Sequence, residues 1–102
     1  MFCMLTHRRL KPGTLDRFRD AWEPDRKLMP EEMRGDHAYV VRSLSDENEI
    51  ITFHLINLTQ DDLMRLREAL SRELGQREHD MAEFVDWTGV SGIFEVVDEL
   101  KI

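Results

Sequence analysis

The sequence has a single cysteine, Cys3, so no internal disulfide can form. The four histidines are scattered, and no HxH, HxxxH or CxxC spacing occurs, so no metal site is predicted. GxGxxG, GxxxxGK[ST] and GxSxG are absent as well. The sequence therefore contains no motif for binding a dinucleotide or a nucleoside triphosphate, and it contains no nucleophile elbow. We predict no organic cofactor.

The chain also lacks an excess of positive charge. It has 14 Lys and Arg against 21 Asp and Glu, which gives a formal net charge of −7. Nucleic acids and anionic membranes are bound by clustered basic side chains, so neither partner is expected. No apolar run approaches the length of a membrane span, and no basic stretch precedes the apolar residues at the start. We predict a cytoplasmic protein without a signal peptide.

What the sequence does contain is an ordered series of strand and helix patterns. Its 102 residues suggest one domain, residues 1–102. The predicted elements are a strand at Phe2–Leu10, a helix from Thr14 to Trp22 or Glu23, strands at Ala38–Leu44 and Glu49–Ile56, a helix capped by Thr59–Asp62, and a strand at Ile93–Leu100. This β-α-β-β-α-β order predicts an α+β, ferredoxin-like fold, in which an antiparallel four-stranded sheet has both helices on one face.

Proline and glycine residues predict where these elements end. Pro24 is expected to end the first helix, and a surface crossover or a lid follows at residues 25–36. Gly75 is expected to interrupt the second helix, which resumes over Gln76–Val85. Asp86–Gly92 combines glycine, serine and aspartate and is expected to be a loop.

The middle two strands form a predicted hairpin that closes at the polar turn Ser45–Asn48. Alternation divides the second strand into one face with Ile51, Phe53 and Leu55 and another with Ile50, Thr52, His54 and Ile56. Tyr39 is expected to share the second face, which is too apolar to remain in water, and two helices can cover only one side. A second copy is the simplest cover, so we predict a homodimer. The alternative is an amphipathic face in contact with water.

Four stretches follow one another in a distinctive order. They are Arg9–Phe18, Arg34–Gly35, Glu49–Leu55 running into Thr59–Asp62, and Val90–Val97. Their order and spacing resemble the dimeric α/β-barrel superfamily, and within it the antibiotic-biosynthesis-monooxygenase-like (ABM-like) domains, over nearly the whole chain. The resemblance implies a homodimer whose two sheets face each other to form an α/β barrel.

The resemblance implies several activities. Some members are cofactor-free monooxygenases that act on polycyclic aromatic substrates, and others degrade haem with an Asn, a Trp and a His. Here Thr6 and His7 stand where that Asn is expected on the first strand. Neither Trp22 nor Trp87 can be matched to the tryptophan position. Haem binding or degradation is therefore the less favoured hypothesis.

His54 is the strongest candidate for a catalytic residue. Facing a barrel interior, it would act as general base on a phenolic substrate, with Tyr39 in the same cavity. The predicted ligand-binding residues are Thr52, His7, Trp22 and Trp87. A packing or interface role remains the alternative for each of these side chains.

Two charged stretches are expected to be solvated. Arg8 and Arg9 lie near a strand end, although an arginine at a cavity mouth would also hold an anionic group. Arg77–Asp80 is expected to be a charged, solvated helix face.

Two functions remain open. One is a cofactor-independent, monooxygenase-like enzyme that binds a small apolar or aromatic ligand in the barrel. The other is a non-catalytic dimeric module that binds a ligand or another protein. A closed cavity of a few hundred Å³ lined by His54 and Tyr39 would favour the enzyme. A cavity filled by Phe, Met and Leu side chains would favour the module.

Overall fold

A computed structural model describes residues 1–22 and 37–102. The elements in chain order are strand β1 (Phe2–Leu10), helix α1 (Leu15–Trp22), strands β2 (Ala38–Arg42) and β3 (Glu49–Ile56), helix α2 (Gln60–Met81), a 3-10 turn (Ala82–Phe84) and strand β4 (Val85–Glu95). Pro24 and the predicted connector at 25–36 lie outside the described residues.

The four strands form one antiparallel sheet in the order β2-β3-β1-β4. Together with the order of the elements along the chain, this topology confirms the predicted ferredoxin-like α+β fold. β1 and β3 have their predicted bounds, and β1 is a central strand. Their apolar, β-branched and aromatic residues suit a pleated surface that packs on both sides.

β4 begins and ends earlier than the sequence predicts. The prediction of a loop at Asp86–Gly92 is wrong, because Val85–Glu95 pairs along β1. The prediction of a strand that continues to Leu100 is wrong as well, since residues 96–102 have no regular structure. Irregular register along β1 accommodates the glycine- and serine-containing segment, and pairing with a central strand overrides its weak local strand preference.

α2 is one uninterrupted helix. Thr59 accepts a hydrogen bond from the backbone N–H of Asp62 at 3.1 Å, which confirms the predicted N-cap. The predicted break at Gly75 is wrong, because the helix passes through this residue. A glycine inside a helix costs only about 1 kcal/mol relative to alanine, and packing of the helix offsets that cost.

The helices cover one side of the sheet, which we call the helix face. Among the described residues, buried apolar side chains pack in one cluster of Met4, Ile56 and Leu66 and in another of Leu10, Phe18, Ile50, Met81 and Phe84. The β3 side chains on this face are Ile50, Thr52, His54 and Ile56, all of which are buried. The prediction that Thr52 and His54 lie on the side without helices is wrong.

The opposite side of the sheet, which we call the open face, is not covered by any described part of the chain. Its more exposed large side chains are Tyr39, Val41, Leu55, Trp87 and Phe94, each between 41% and 49% exposed. Because they belong to β2, β3 and β4, the exposed apolar surface extends across the sheet. A continuous apolar surface of this kind is typical of a protein interface.

Candidate functional site

A small polar cavity lies between the helix face of the sheet and α2. Its lining consists of Met4, Thr6, Arg8, Trp22, Thr52, His54, Arg77 and Glu78. Its volume of about 30 Å³ is sufficient for one water molecule. The two central strands supply its polar floor, because Arg8, Thr52 and His54 all fall on the helix face.

Arg8 is the most deeply buried charged side chain of this cavity, with only 3% of its surface exposed. Its Nη1 donates a hydrogen bond to Thr52 Oγ1 at 2.9 Å, and its Nη2 donates to the carboxylate of Glu78. The guanidinium carbon lies 5.5 Å from the centre of the Phe18 ring. Its Nε has no hydrogen-bond partner among the described residues. Because arginine stays protonated, the cavity contains a permanent positive charge.

His54 faces the same cavity from β3 and is 8% exposed. Its Nε2 is buried and has no hydrogen-bond partner in the described part of the chain. Burial, followed by the positive charge of Arg77, lowers the pKa of His54 below its ordinary value of 6.5. The imidazole is therefore neutral near pH 7, and a neutral imidazole can accept a proton.

The buried atoms of Arg8 and His54 that have no protein partner border one cavity. Leaving such an atom without a hydrogen bond costs about 1–3 kcal/mol. Most buried polar groups in proteins are satisfied by the protein, by ordered water or by a ligand. The cavity is thus suited to a small molecule, or part of one, that can hydrogen-bond to both side chains.

The structure separates the two residues that the sequence predicts to act together. β2 and β3 pair so that Ala38 lies opposite His54 and Tyr39 lies opposite Phe53. Tyr39 is therefore on the open face, where it stacks on Phe53 with ring centroids 5.2 Å apart. The prediction of one cavity shared by His54 and Tyr39 is wrong. The observed pairing of β2 with β3 differs by one residue from the predicted pairing, and a difference of one residue places a side chain on the opposite face.

The predicted ligand-binding residues divide between the two faces. Thr52 and Trp22 line the polar cavity. His7 and Trp87 lie on the open face and meet edge to face, with ring centroids 4.8 Å apart. His7 Nε2 lies 3.2 Å from Glu49 Oε1 but has no hydrogen-bond partner among the described residues. The four residues therefore do not form one site.

Arg8 and Glu78 are members of the cavity that the sequence interpretation assigned to solvated surfaces. Arg8 is buried instead, and Glu78 reaches it from α2. The sequence could have predicted the burial of Arg8, because Arg8 lies on the same face of its strand as Met4 and Leu10, and that strand is apolar on both faces. No comparable signal exists for Glu78, because its partner lies 70 positions away in the sequence.

A larger groove lies beside the cavity, between α1 and the edge strand β2. It is lined by Leu15, Arg19, Asp20, Trp22, Ala38, Val40, Arg42 and Ile50. Its volume is about 690 Å³ as bounded by the described residues, which is within the range of small-molecule sites. Trp22 borders both the groove and the polar cavity.

Among residues 1–22 and 37–102, no cluster of three or more His, Cys, Asp or Glu side chains is placed to hold a metal ion. None of the helices in these ranges has the length and apolarity needed to cross a membrane.

No protein-family model and no curated protein matches the sequence. Solved structures with a similar fold include two that belong to proteins named as candidate antibiotic biosynthesis monooxygenases. The structure from Chloroflexus aurantiacus J-10-fl has a TM-score of 0.56 and 14% identity, and the match covers 99% of this chain and 97% of that one. The structure from Nitrosomonas europaea has a TM-score of 0.57 and 13% identity, with coverage of 96% and 100%. The resemblance predicted from the sequence is confirmed at the level of the fold.

Proposed function

We propose that this protein is an ABM-like homodimer that binds a small aromatic ligand on the helix side of each sheet and takes a proton from it through His54. The observation that carries the proposal is the pair of buried atoms, His54 Nε2 and Arg8 Nε, that border one cavity without a protein partner. A neutral imidazole and a guanidinium that border the same cavity are suited to accept a proton and to stabilise the resulting anion.

The open face supports the dimer. Its exposed apolar side chains would be removed from water by a second copy of the same face, which stabilises association by about 25 cal/mol per Å² of apolar surface. Tyr39 and Trp87 would then be interface residues. Their proposed role is to close the barrel, whereas the ligand lies on the other side of each sheet.

The groove beside the cavity supports an aromatic ligand. Its volume suits a small molecule, and Trp22 would contact a ring that lies in the groove while the polar group of the ligand enters the cavity. The Arg77 guanidinium lies 6.0 Å from the centre of the Trp22 ring and helps to hold the indole at this boundary.

The proposed reaction requires only a base, dioxygen and a substrate that is easily oxidised. His54 removes a proton from an activated CH₂ group of the aromatic substrate, and the carbanion reacts with dioxygen. The CH₂ carbon becomes a carbonyl, one oxygen atom is retained, and the other leaves as water with the two hydrogens. The substrate supplies all four electrons, so no separate reductant takes part.

Oxidation of 1,8-dihydroxyanthrone to the corresponding anthraquinone tests this proposal. Oxygen uptake and quinone absorbance are followed with the wild-type protein and with His54→Gln. We expect the rate above the buffer background to fall by about 100-fold in His54→Gln, which is typical of losing a general base. His79→Gln, at an exposed histidine of α2, is the matched control and should retain the wild-type rate. Equal rates in all three proteins would contradict the assignment of His54.

The size of the cavity favours a second candidate, the non-catalytic dimeric module. With a volume of about 30 Å³, partly walled by Met4 and Trp22, the cavity is far smaller than the few hundred Å³ expected of a closed substrate site. For such a module, calorimetry would detect binding of the anthrone while oxygen uptake stays at the buffer background.

A further inference from the structure

We propose that the ligand of the polar cavity carries a carboxylate, which takes the place of the Glu78 carboxylate on Arg8. This inference rests on the proposed function, because it assumes that the cavity is a ligand site. It adds the chemical class of the ligand and assigns Glu78 the role of an internal competitor.

The two members of the ion pair differ in their freedom to move. The Arg8 side chain is 4% exposed, whereas that of Glu78 is 46% exposed. Arg8 is held by Thr52 and by the Phe18 ring, so its guanidinium stays in place. Glu78 projects from the surface of α2 and can turn into water without uncovering a buried group of its own. When Glu78 leaves, the cavity grows by the volume of a carboxylate and an unpaired cation remains inside.

The guanidinium has an unused donor next to the one that Glu78 occupies. In arginine, Nε–H and one N–H of Nη2 point to the same side and can bind the two oxygens of one carboxylate in parallel. Glu78 accepts from Nη2, while Nε has no partner among the described residues. A ligand carboxylate placed on this edge makes the second charge-assisted bond that Glu78 does not make.

The other polar groups around the cavity also favour an anion. Arg77 lines the cavity together with His54, and its positive charge contributes, after burial, to the lowered pKa of that histidine. Glu78 is the only acidic side chain among the described lining residues. Once an external carboxylate replaces Glu78, it lies beside the buried guanidinium of Arg8 and the neutral imidazole of His54.

Two probes that share one ring system test the inference by calorimetry. They are 1-hydroxy-2-naphthoate and 1-naphthol, which differ only in the carboxylate. We expect the wild-type protein to bind the naphthoate about tenfold more tightly, the gain from one charge-assisted hydrogen bond. Glu78→Gln keeps an acceptor for Arg8 and removes the competing charge. Its affinity for the naphthoate should rise by about a further tenfold, with that for naphthol unchanged.

Glu68→Gln is the matched control, because it makes the same change of charge at another exposed position of α2. It should leave both affinities at their wild-type values, and thermal melting checks that both variants fold. Equal affinities for the two probes in every variant would overturn the inference and leave the proposed function standing. A similar gain for both probes in Glu78→Gln would make Glu78 a steric plug and would also overturn it. If neither probe binds any variant, the inference is wrong, and the anthrone assay decides separately on the proposed function.

Discussion

Arg8 Nη1 donates a hydrogen bond to Thr52 Oγ1 at 2.9 Å, diagonally across the neighbouring strands β1 and β3. Both residues are only 3% exposed. The bond is made within the sheet and does not depend on a helix. The position of the buried positive charge is therefore set by the most extensively paired part of the fold, while its second partner, Glu78, comes from α2.

Thr52→Val is expected to destabilise the protein. Valine preserves the shape of the side chain but removes the acceptor for Arg8 Nη1. The free energy of unfolding should fall by about 1–3 kcal/mol, the cost of a buried donor without a partner. Urea denaturation measures the change. Thr88→Val, at an exposed position of β4, is the control and should change the value by less than about 0.5 kcal/mol. Equal losses in the two variants would show that the buried hydrogen bond contributes nothing.

Leu55→Glu is expected to separate the proposed dimer. Leu55 is 47% exposed on the open face of the central strand β3, and a carboxylate there would be buried without a partner on association. Sedimentation velocity should show a folded 12.1 kDa chain in place of a particle of twice that mass. Met64→Glu places the same charge on α2, where Met64 is 57% exposed, and should leave the dimer intact. A wild-type protein that sediments as a folded monomer would refute the dimer.

Stability is expected to decrease as the pH falls below 6.5. Unfolded His54 binds a proton near its ordinary pKa of 6.5, whereas burial and the charge of Arg77 lower the pKa in the folded protein. In this range the unfolded state binds more protons, so acidification favours unfolding until the pH drops below the folded pKa. Urea denaturation across the pH range measures the effect, and His54→Gln should remove this part of it. An NMR titration of His54 at or above 6.5 in the folded protein would contradict the prediction.

Gly75→Ala is expected to stabilise α2. Apart from its chain neighbours and the backbone of its own helix, a Cβ at this position would have no atom within 4 Å, and the residue lies inside the helix. The unfolding free energy should rise by about 0.4–1 kcal/mol, because alanine loses less backbone entropy on folding. Gly89→Ala provides the contrast, since its Cβ would lie 3.0 Å from both His7 Nδ1 and Trp87 Cζ3. It should displace these rings, seen as a changed Trp87 emission in a Trp22→Phe background. A gain in stability at both glycines would contradict the assigned contacts.

Short-range patterns in the sequence were sufficient to predict much of the fold. The bounds of β1 and β3 and the Thr59 cap agree with the sequence, because alternation and capping depend on residues that are near one another in the chain. The same local signals failed for β4 and at Gly75. There, pairing with β1 and packing of α2 supply stabilisation that no short window of sequence contains.

The composition of the candidate site was decided by tertiary structure. Alternation shows that Thr52 and His54 share a face of the sheet, but it does not show whether helices cover that face. The predicted pairing of β2 with β3 differs by one residue from the observed pairing, so Tyr39 was predicted on the wrong face. Arg8 and Glu78 become neighbours only when α2 packs on the sheet. Side chains of adjacent residues in a strand point to opposite faces, so a small error in pairing changes which residues line a site. Contacts between distant segments depend on how whole helices and strands pack. The cavity therefore forms only when the complete fold has assembled.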